Sequence, residues 1–172
     1  MHEEKQMAKP MQKTRTSLDD TFQVCTFQVA NRCCGVRIDD VKEIKPATNF
    51  TNIYHTGDDV LGYLNIRGQI YLIMDIRKIL GFKPGNITEK SRVILFKGAV
   101  GENFGILVDE VRDIVSISSE DIEGQDQTSL VNESGSNANQ LILAECKVDD
   151  ELLVILQPSA FFESFGGNRK AS

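Results

Sequence analysis

Residues 36–44, VRIDDVKEI, return in altered form seventy positions later as ILVDEVRDI at residues 106–114. Asp39 and Asp109, Val41 and Val111, and Ile44 and Ile114 are identical. Most other pairs are conservative, and Gly35 and Gly105 precede the two copies. A second match joins IYLIMDIRKIL at 70–80 to LLVILQPSAFF at 152–162, now at a spacing of eighty-two. Each of these is an apolar run followed by a potential helical turn. The twelve extra residues fit a longer loop in the polar stretch Gln125–Asn139. Such a chain is expected to form two related lobes with a cleft between them, where a partner or ligand would sit.

At 172 residues the chain is one domain or two small ones, and it can bury a sizeable core. Its 41% hydrophobic and 26% charged residues describe an ordinary soluble globular protein. A net charge of −6 without any basic run argues against nucleic acid or an anionic membrane as partner. The opening residues MHEEKQMAKPMQKTRTSLDD lack the apolar core of a secretory signal, and no apolar run approaches a membrane span. A reducing cytosol is therefore expected. There Cys25, Cys33, Cys34 and Cys146 read as small buried hydrophobes rather than disulfides. The Asn-x-Ser/Thr matches at Asn49, Asn86 and Asn132 then carry no meaning for glycosylation.

Residues 1–18 are polar and without periodicity, which predicts a disordered tail. From Thr21 the pattern turns short and β-rich. FQVCTFQV at 22–29, a turn signal at 30–32 and residues 34–38 predict a hairpin. Residues 39–44 fit either one helical turn or an irregular strand. Residues 60–66 and 69–74 flank Arg67–Gly68, a tight-turn pair, and the wholly apolar run 70–74 predicts a strand covered on both faces. DIRKIL at 75–80 predicts a short helix stopped by Gly81. In the second lobe, residues 92–96 and 104–108 surround a loop, and 141–144 and 152–156 surround a turn at 149–151. Pro158 then opens a short helix ending near Phe165, with Phe161, Phe162 and Phe165 on one face packed on a barrel, and residues 166–172 form a frayed tail. Many short strands with helices of a turn or two predict an all-β pair of barrels.

Catalytic material is scarce. His2 lies in the tail, and His55 alone in a loop reads as a solvated side chain. No paired Cys-x-x-Cys exists, and adjacent Cys33 and Cys34 on an extended segment cannot both face one site, so zinc is not expected. Gly98, Gly101 and Gly105 match no phosphate-loop spacing, and the acidic clusters 39–40, 109–110 and 149–151 lack calcium-loop spacing. Neither an enzyme nor a cofactor is indicated.

The segment GYLNIRGQIYLIMDIRKIL at 62–80, with VKEI at 41–44 upstream and GILVDEV at 105–111 downstream, resembles the CheW family of bacterial chemotaxis coupling proteins. The ordered set Glu43, Gly62, Asn65–Gly68, Asp75–Arg77 and Gly105–Val111 carries the resemblance, which runs from about Phe22 to Phe165. It implies two SH3-like five-stranded β-barrels sharing a core, with short helical turns and a short C-terminal helix. The family domain would span 19–165, with a first barrel at about 19–85 and a second at about 86–165. It also implies a non-enzymatic adaptor that couples the cytoplasmic tip of chemoreceptors to the regulatory domain of a CheA-type histidine kinase. Such an adaptor is cytoplasmic and is recruited to membrane receptor arrays.

By the same resemblance Val41, Glu43, Gly62, Arg67 and Gly68 belong to the kinase-facing side. Gly105, Val111 and Ile114 would line the receptor-side cleft. Arg67 also fits plain exposure in a turn, but its joint presence with Glu43 favours a charged pair joining two strands of barrel one. Gly62 and Gly68 would serve positive φ or close packing. Val41, Val111 and Ile114 fit a barrel core equally well. Leu72 stands where the family often has proline, and residues 52–59 lack the family's usual prolines, which implies local loop differences. The chain carries no receiver or phosphotransfer domain, so neither a CheV-like coupler nor a kinase is supported. The competing reading is a small-molecule sensor using the cleft between the barrels.

Overall fold

Turn chemistry sets the hairpins. Ala30–Asn31, Arg67–Gly68 and Asp149–Asp150 all have both residues at positive φ, the two-residue geometry whose twist matches flanking antiparallel strands. The computed structural model describes residues 21–53, 59–123 and 138–167. Its strands are β1 (Thr21–Val29), β2 (Arg32–Arg37), β3 (Val41–Pro46), β4 (Val60–Ile66), β5 (Gln69–Asp75), β6 (Arg92–Phe96), β7 (Phe104–Val108), β8 (Glu110–Ser118), β9 (Ile122–Glu123), β10 (Ile142–Val148) and β11 (Glu151–Leu156). Helices α1 (Ile76–Ile79) and α2 (Pro158–Gly167) are short. The stretch 39–44 resolves into both alternatives, a 3₁₀ turn at Ile38–Asp40 followed by strand β3. The expected tail at 1–18, His55 and most of the loop Gln125–Asn139 lie outside the described residues.

The all-β expectation holds, in two sheets. One has the order β8-β1-β2-β11-β10-β9, the other β3-β6-β7-β5-β4. The division of barrels at 19–85 and 86–165 needs correcting. Each sheet takes one hairpin, β1–β2 or β6–β7, from one half of the chain and its remaining strands from the other half. The chain crosses between sheets after β2, through the 3₁₀ turn, and after β7, at Asp109. These crossovers occupy the two copies of the repeated segment.

The repeat is a true structural symmetry. Leaving out two-residue β9, the two sheet orders map strand for strand. Val41 and Glu43 bracket an extra residue, Lys42, as Val111 and Ile114 bracket Arg112–Asp113. Leu61 and Leu143 are the extra residues of bulges in β4 and β10. Gly105 lies beside Ile73 in one parallel pair and Gly35 beside Ile155 in the other.

Strand alternation divides the core. Leu153 and Ile155 face a cluster inside the first sheet with Val24, Cys33 and Cys146, whereas Val93 and Leu95 join Tyr71 and Ile73 inside the second. The opposite faces of β11 and β6, with Val154, Leu156, Ile94 and Phe96, meet in a central cluster with Phe27, Phe104 and Phe161. Strands buried on both faces explain the unbroken apolar runs. Residues 70–74 fall short of that expectation: Ile70 is 57% exposed. Strand β7 pairs with β5 only from Leu72 onward, so the start of β5 projects past its neighbour. Phe161 is buried and Phe162 stacks near Phe104, but α2 runs two residues beyond the expected end at Phe165, whose side chain lies outside the described ones. Cys25, Cys33, Cys34 and Cys146 are all buried.

Candidate partner interface

Strands β3 and β4 are the outer strands of the second sheet, and a side-chain hydrogen bond links β3 to β5. The bulge at Lys42 sends that side chain across the rim, where Nζ donates to the Tyr71 hydroxyl at 2.6 Å. That hydroxyl donates to Gln69 Oε1 at 3.0 Å, and Gln69 Nε2 donates to Asn103 Oδ1 at 2.7 Å. Tyr71 is a core side chain whose polar end surfaces at the mouth of the barrel.

Glu43 lies on the same rim. Lys45 Nζ contacts its Oε1 at 2.6 Å and Arg67 Nη2 stands 3.7 Å away. The hydrogen bond from Lys45 is the largest influence and holds the Glu43 carboxyl below its ordinary range, against some desolvation and with help from the charges of Arg67 and Lys42. The expected Glu43–Arg67 pair is thus present but differently built. Arg67 sits in the turn at φ +53°, its side chain is 80% exposed, and Lys45 is the closer partner. It is a rim contact rather than a strand-joining pair.

The other residues assigned to the kinase side divide by burial. Gly68 is exposed at φ +84°, with its N–H donated to Asn65 Oδ1 at 2.9 Å. Gly62 is inside, where an added Cβ would strike the carbonyl of Thr51, which is bridged to Tyr63 by two backbone hydrogen bonds of 2.9 Å. Val41 is half-buried against the central cluster. Glu43, Arg67 and Gly68 therefore share a surface, whereas Gly62 packs against Thr51.

Of the residues expected on a receptor-side cleft, Val111 and Ile114 lie on β8, an outer strand of the first sheet. Val111 is half-buried opposite Phe27, and Ile114 is 54% exposed. Gly105 is buried in the second sheet, where an added Cβ would stand 2.6 Å from the Ile94 carbonyl oxygen. The structure does not gather these three, and Gly105 lines no cleft. Between the sheets, where the repeat predicts a cleft, the central phenylalanines pack together, with Phe96 and Phe104 centroids 4.9 Å apart.

One arrangement escaped the sequence. Arg77 Nε and Nη2 donate to Asp109 Oδ1 and Oδ2 at 2.8 and 2.5 Å, and the Ala30 N–H donates to the same Oδ2 at 2.8 Å. Asp75 caps α1 by accepting the Arg77 N–H at 3.0 Å. This clamp ties α1, the β1–β2 turn and the second crossover together, with both side chains under a third exposed. The available signal was the identity of Asp39 and Asp109, of which only the second has such a partner. Asp39 instead stands 76% exposed, with Arg37 at 3.7 Å.

Among the described residues no three His, Cys, Asp or Glu side chains are grouped to hold a metal ion, and no helix is long and apolar enough to cross a membrane. Charged rims and exposed isoleucines on a two-sheet scaffold define a β-rich binding module. Residues 23–165 match the family model for the CheW-like domain, so the chain belongs to that family. A probable chemotaxis protein CheW of Rhizobium etli is 27% identical over 140 residues, covering 81% of this chain and 86% of its own. The chemotaxis protein CheW of Thermotoga maritima is 22% identical over 151 residues, covering 88% and 94%. The crystal structure of a scaffolding protein, TtCheW of Thermoanaerobacter tengcongensis, shares the fold with a TM-score of 0.69 at 24% identity, over 78% of this chain and 83% of that one.

Proposed function

We infer that this chain is a chemotaxis adaptor that couples chemoreceptors to a CheA-type histidine kinase and works without catalysis. The observation that carries the reading is the match to the CheW-like domain across nearly every described residue. Two outer strands of different sheets supply two separate contact surfaces. The rim of Glu43, Arg67 and Gly68, backed by Gly62 and Val41, is the surface for the kinase regulatory domain. The β8 surface around Ile114, with Val111 beneath it, is the surface for the helical receptor tip, and Gly105 keeps the neighbouring sheet close-packed. Binding at separate faces lets a change in the receptor bias the kinase through the adaptor. The protein acts from the cytoplasm at membrane receptor arrays.

Immobilised chain challenged with purified kinase regulatory domain tests this reading. Retention that weakens on Arg67→Glu supports it. No retention, together with a ligand-dependent rise in Tm from a small-molecule screen, would favour the sensor alternative.

A further inference from the structure

We propose that a groove beside the first crossover takes the guanidinium of an arginine on a protein partner, in the place that Arg77 fills at the second crossover. The internal symmetry of the fold defines both places. Each lies where a crossover, the turn of a hairpin and the start of a helix meet. At the second crossover these are Asp109, the β1–β2 turn at Ala30 and α1 with Arg77. At the first they are Asp39 and Asp40, the β6–β7 turn at Ala99 and Val100, and α2 with Ser159. Asp39 matches Asp109 in the repeat, and at the spacing of eighty-two Ser159 matches Arg77.

Where Arg77 stands, the space is full. Its guanidinium spans both Asp109 oxygens, donates to the Lys83 carbonyl at 3.3 Å and lies so close to Gly85 that a side chain there would strike it. Ser159 ends in a short hydroxyl instead, and a groove of about 460 Å³ remains, lined by Asp39, Asp40, Val100, Leu156 and Ser159 among others. Two carboxylates beside apolar side chains suit a cationic head on an alkyl stem. Arg37 also borders the groove, but its guanidinium rests over the Phe22 ring at 4.8 Å from the centroid. It approaches Asp39 only to 3.7 Å and leaves that side chain 76% exposed. Burial raises the pKa of Asp40 despite the opposing charges of Arg37 and Lys97, so the cations present do not offset that burial. The occupant is an arginine within a polypeptide, as Arg77 is, because a free amino acid would bring its own carboxylate toward Asp39 and Asp40. The groove shares no residue with the Glu43–Arg67 rim or the β8 surface, and the inference does not depend on the adaptor reading.

Nuclear magnetic resonance of the full chain titrated with N-acetyl-arginine amide tests it. The amide signals of Asp39, Val100 and Ser159 should shift saturably, and N-acetyl-lysine amide should bind more weakly because it lacks a two-pronged head. Asp39→Asn should weaken the arginine probe by about tenfold, through loss of a charge-assisted contact. Ser159→Arg should abolish binding of the probe by supplying the guanidinium from within, as Arg77 does at the other crossover. If circular dichroism shows Ser159→Arg unfolded, Asp39→Asn decides alone. No saturable shift, equal binding of the two probes, a folded Asp39→Asn that binds like the parent, or a folded Ser159→Arg that still binds would each overturn the proposal. Free arginine that binds more tightly than the blocked probe would overturn the assignment to a protein partner.

Discussion

An alanine methyl at Gly105 would meet the backbone of β6, and at Gly62 the backbone at Thr51, neither of which can move aside like a flexible side-chain end. Gly68 has open space around it and is constrained by its φ of +84° alone. Gly105→Ala is therefore expected to lower stability by about 1–3 kcal/mol as overpacking does. Gly68→Ala should cost about 1 kcal/mol from the left-handed backbone. Denaturant melts would rank the two, and an equal ranking with added Pro or β-branched residues tolerated at 105 would contradict the packing argument. Arg67 behaves differently: with its side chain 80% exposed and Lys45 still holding Glu43, Arg67→Ala should leave the Tm unchanged while weakening kinase binding. A fall in both would show that the pair is structural. Burial pushes the Cys34 thiol up to about 12 from an ordinary value of 9.0, and burial likewise raises Cys25 and Cys33. The unfolded thiol then loses its proton first, so stability is complete below about pH 9 and declines between there and about pH 12. Cys34→Ala should make that alkaline decline shallower, and an identical slope in chemical denaturation would refute the assignment.

Helix α1 is only four residues long, too short to be held by its own backbone, and its position depends on the Asp75 cap and the Arg77–Asp109 clamp. Removing Arg77 leaves a half-buried carboxylate with the Ala30 N–H as its remaining shown donor. Arg77→Ala is expected to cost about 2 kcal/mol, and Arg77→Lys to recover part of it while losing the two-pronged contact. Thermal melts of the two variants check this, and equal loss would mean that charge contributes nothing. At this scale the sequence was informative wherever a local rule applied. The Arg67–Gly68 turn, the stop at Gly81 and the apolar faces of β6 and β11 follow from residues within a few positions of each other. The clamp joins residues 32 positions apart, and no spacing rule links them.

The repeated segment predicted two related lobes, and the symmetry is there, but the exchange of hairpins between sheets was not legible. Pairing of β2 with β11 and of β5 with β7 is parallel and distant in sequence, so each strand's pattern is satisfied equally by either partner. The family pattern, not the repeat, placed Gly105 on a cleft. A glycine before a repeated segment signals close approach of backbone, and its neighbour proved to be β6 rather than a partner protein. Glu43 and Arg67 were legible as a pair through the family pattern, but the nearer Lys45, two residues along the same strand, was overlooked.

An adaptor of the kind proposed must hold receptor and kinase at the same time. Membranes bearing chemoreceptor, purified kinase and the full chain can be sedimented together, with and without the chain. Kinase should pellet with the membranes only when the chain is present, and Arg67→Glu should leave the chain on the membranes while releasing the kinase. Kinase that pellets equally without the chain, or receptor and kinase that displace one another from it, would contradict the account.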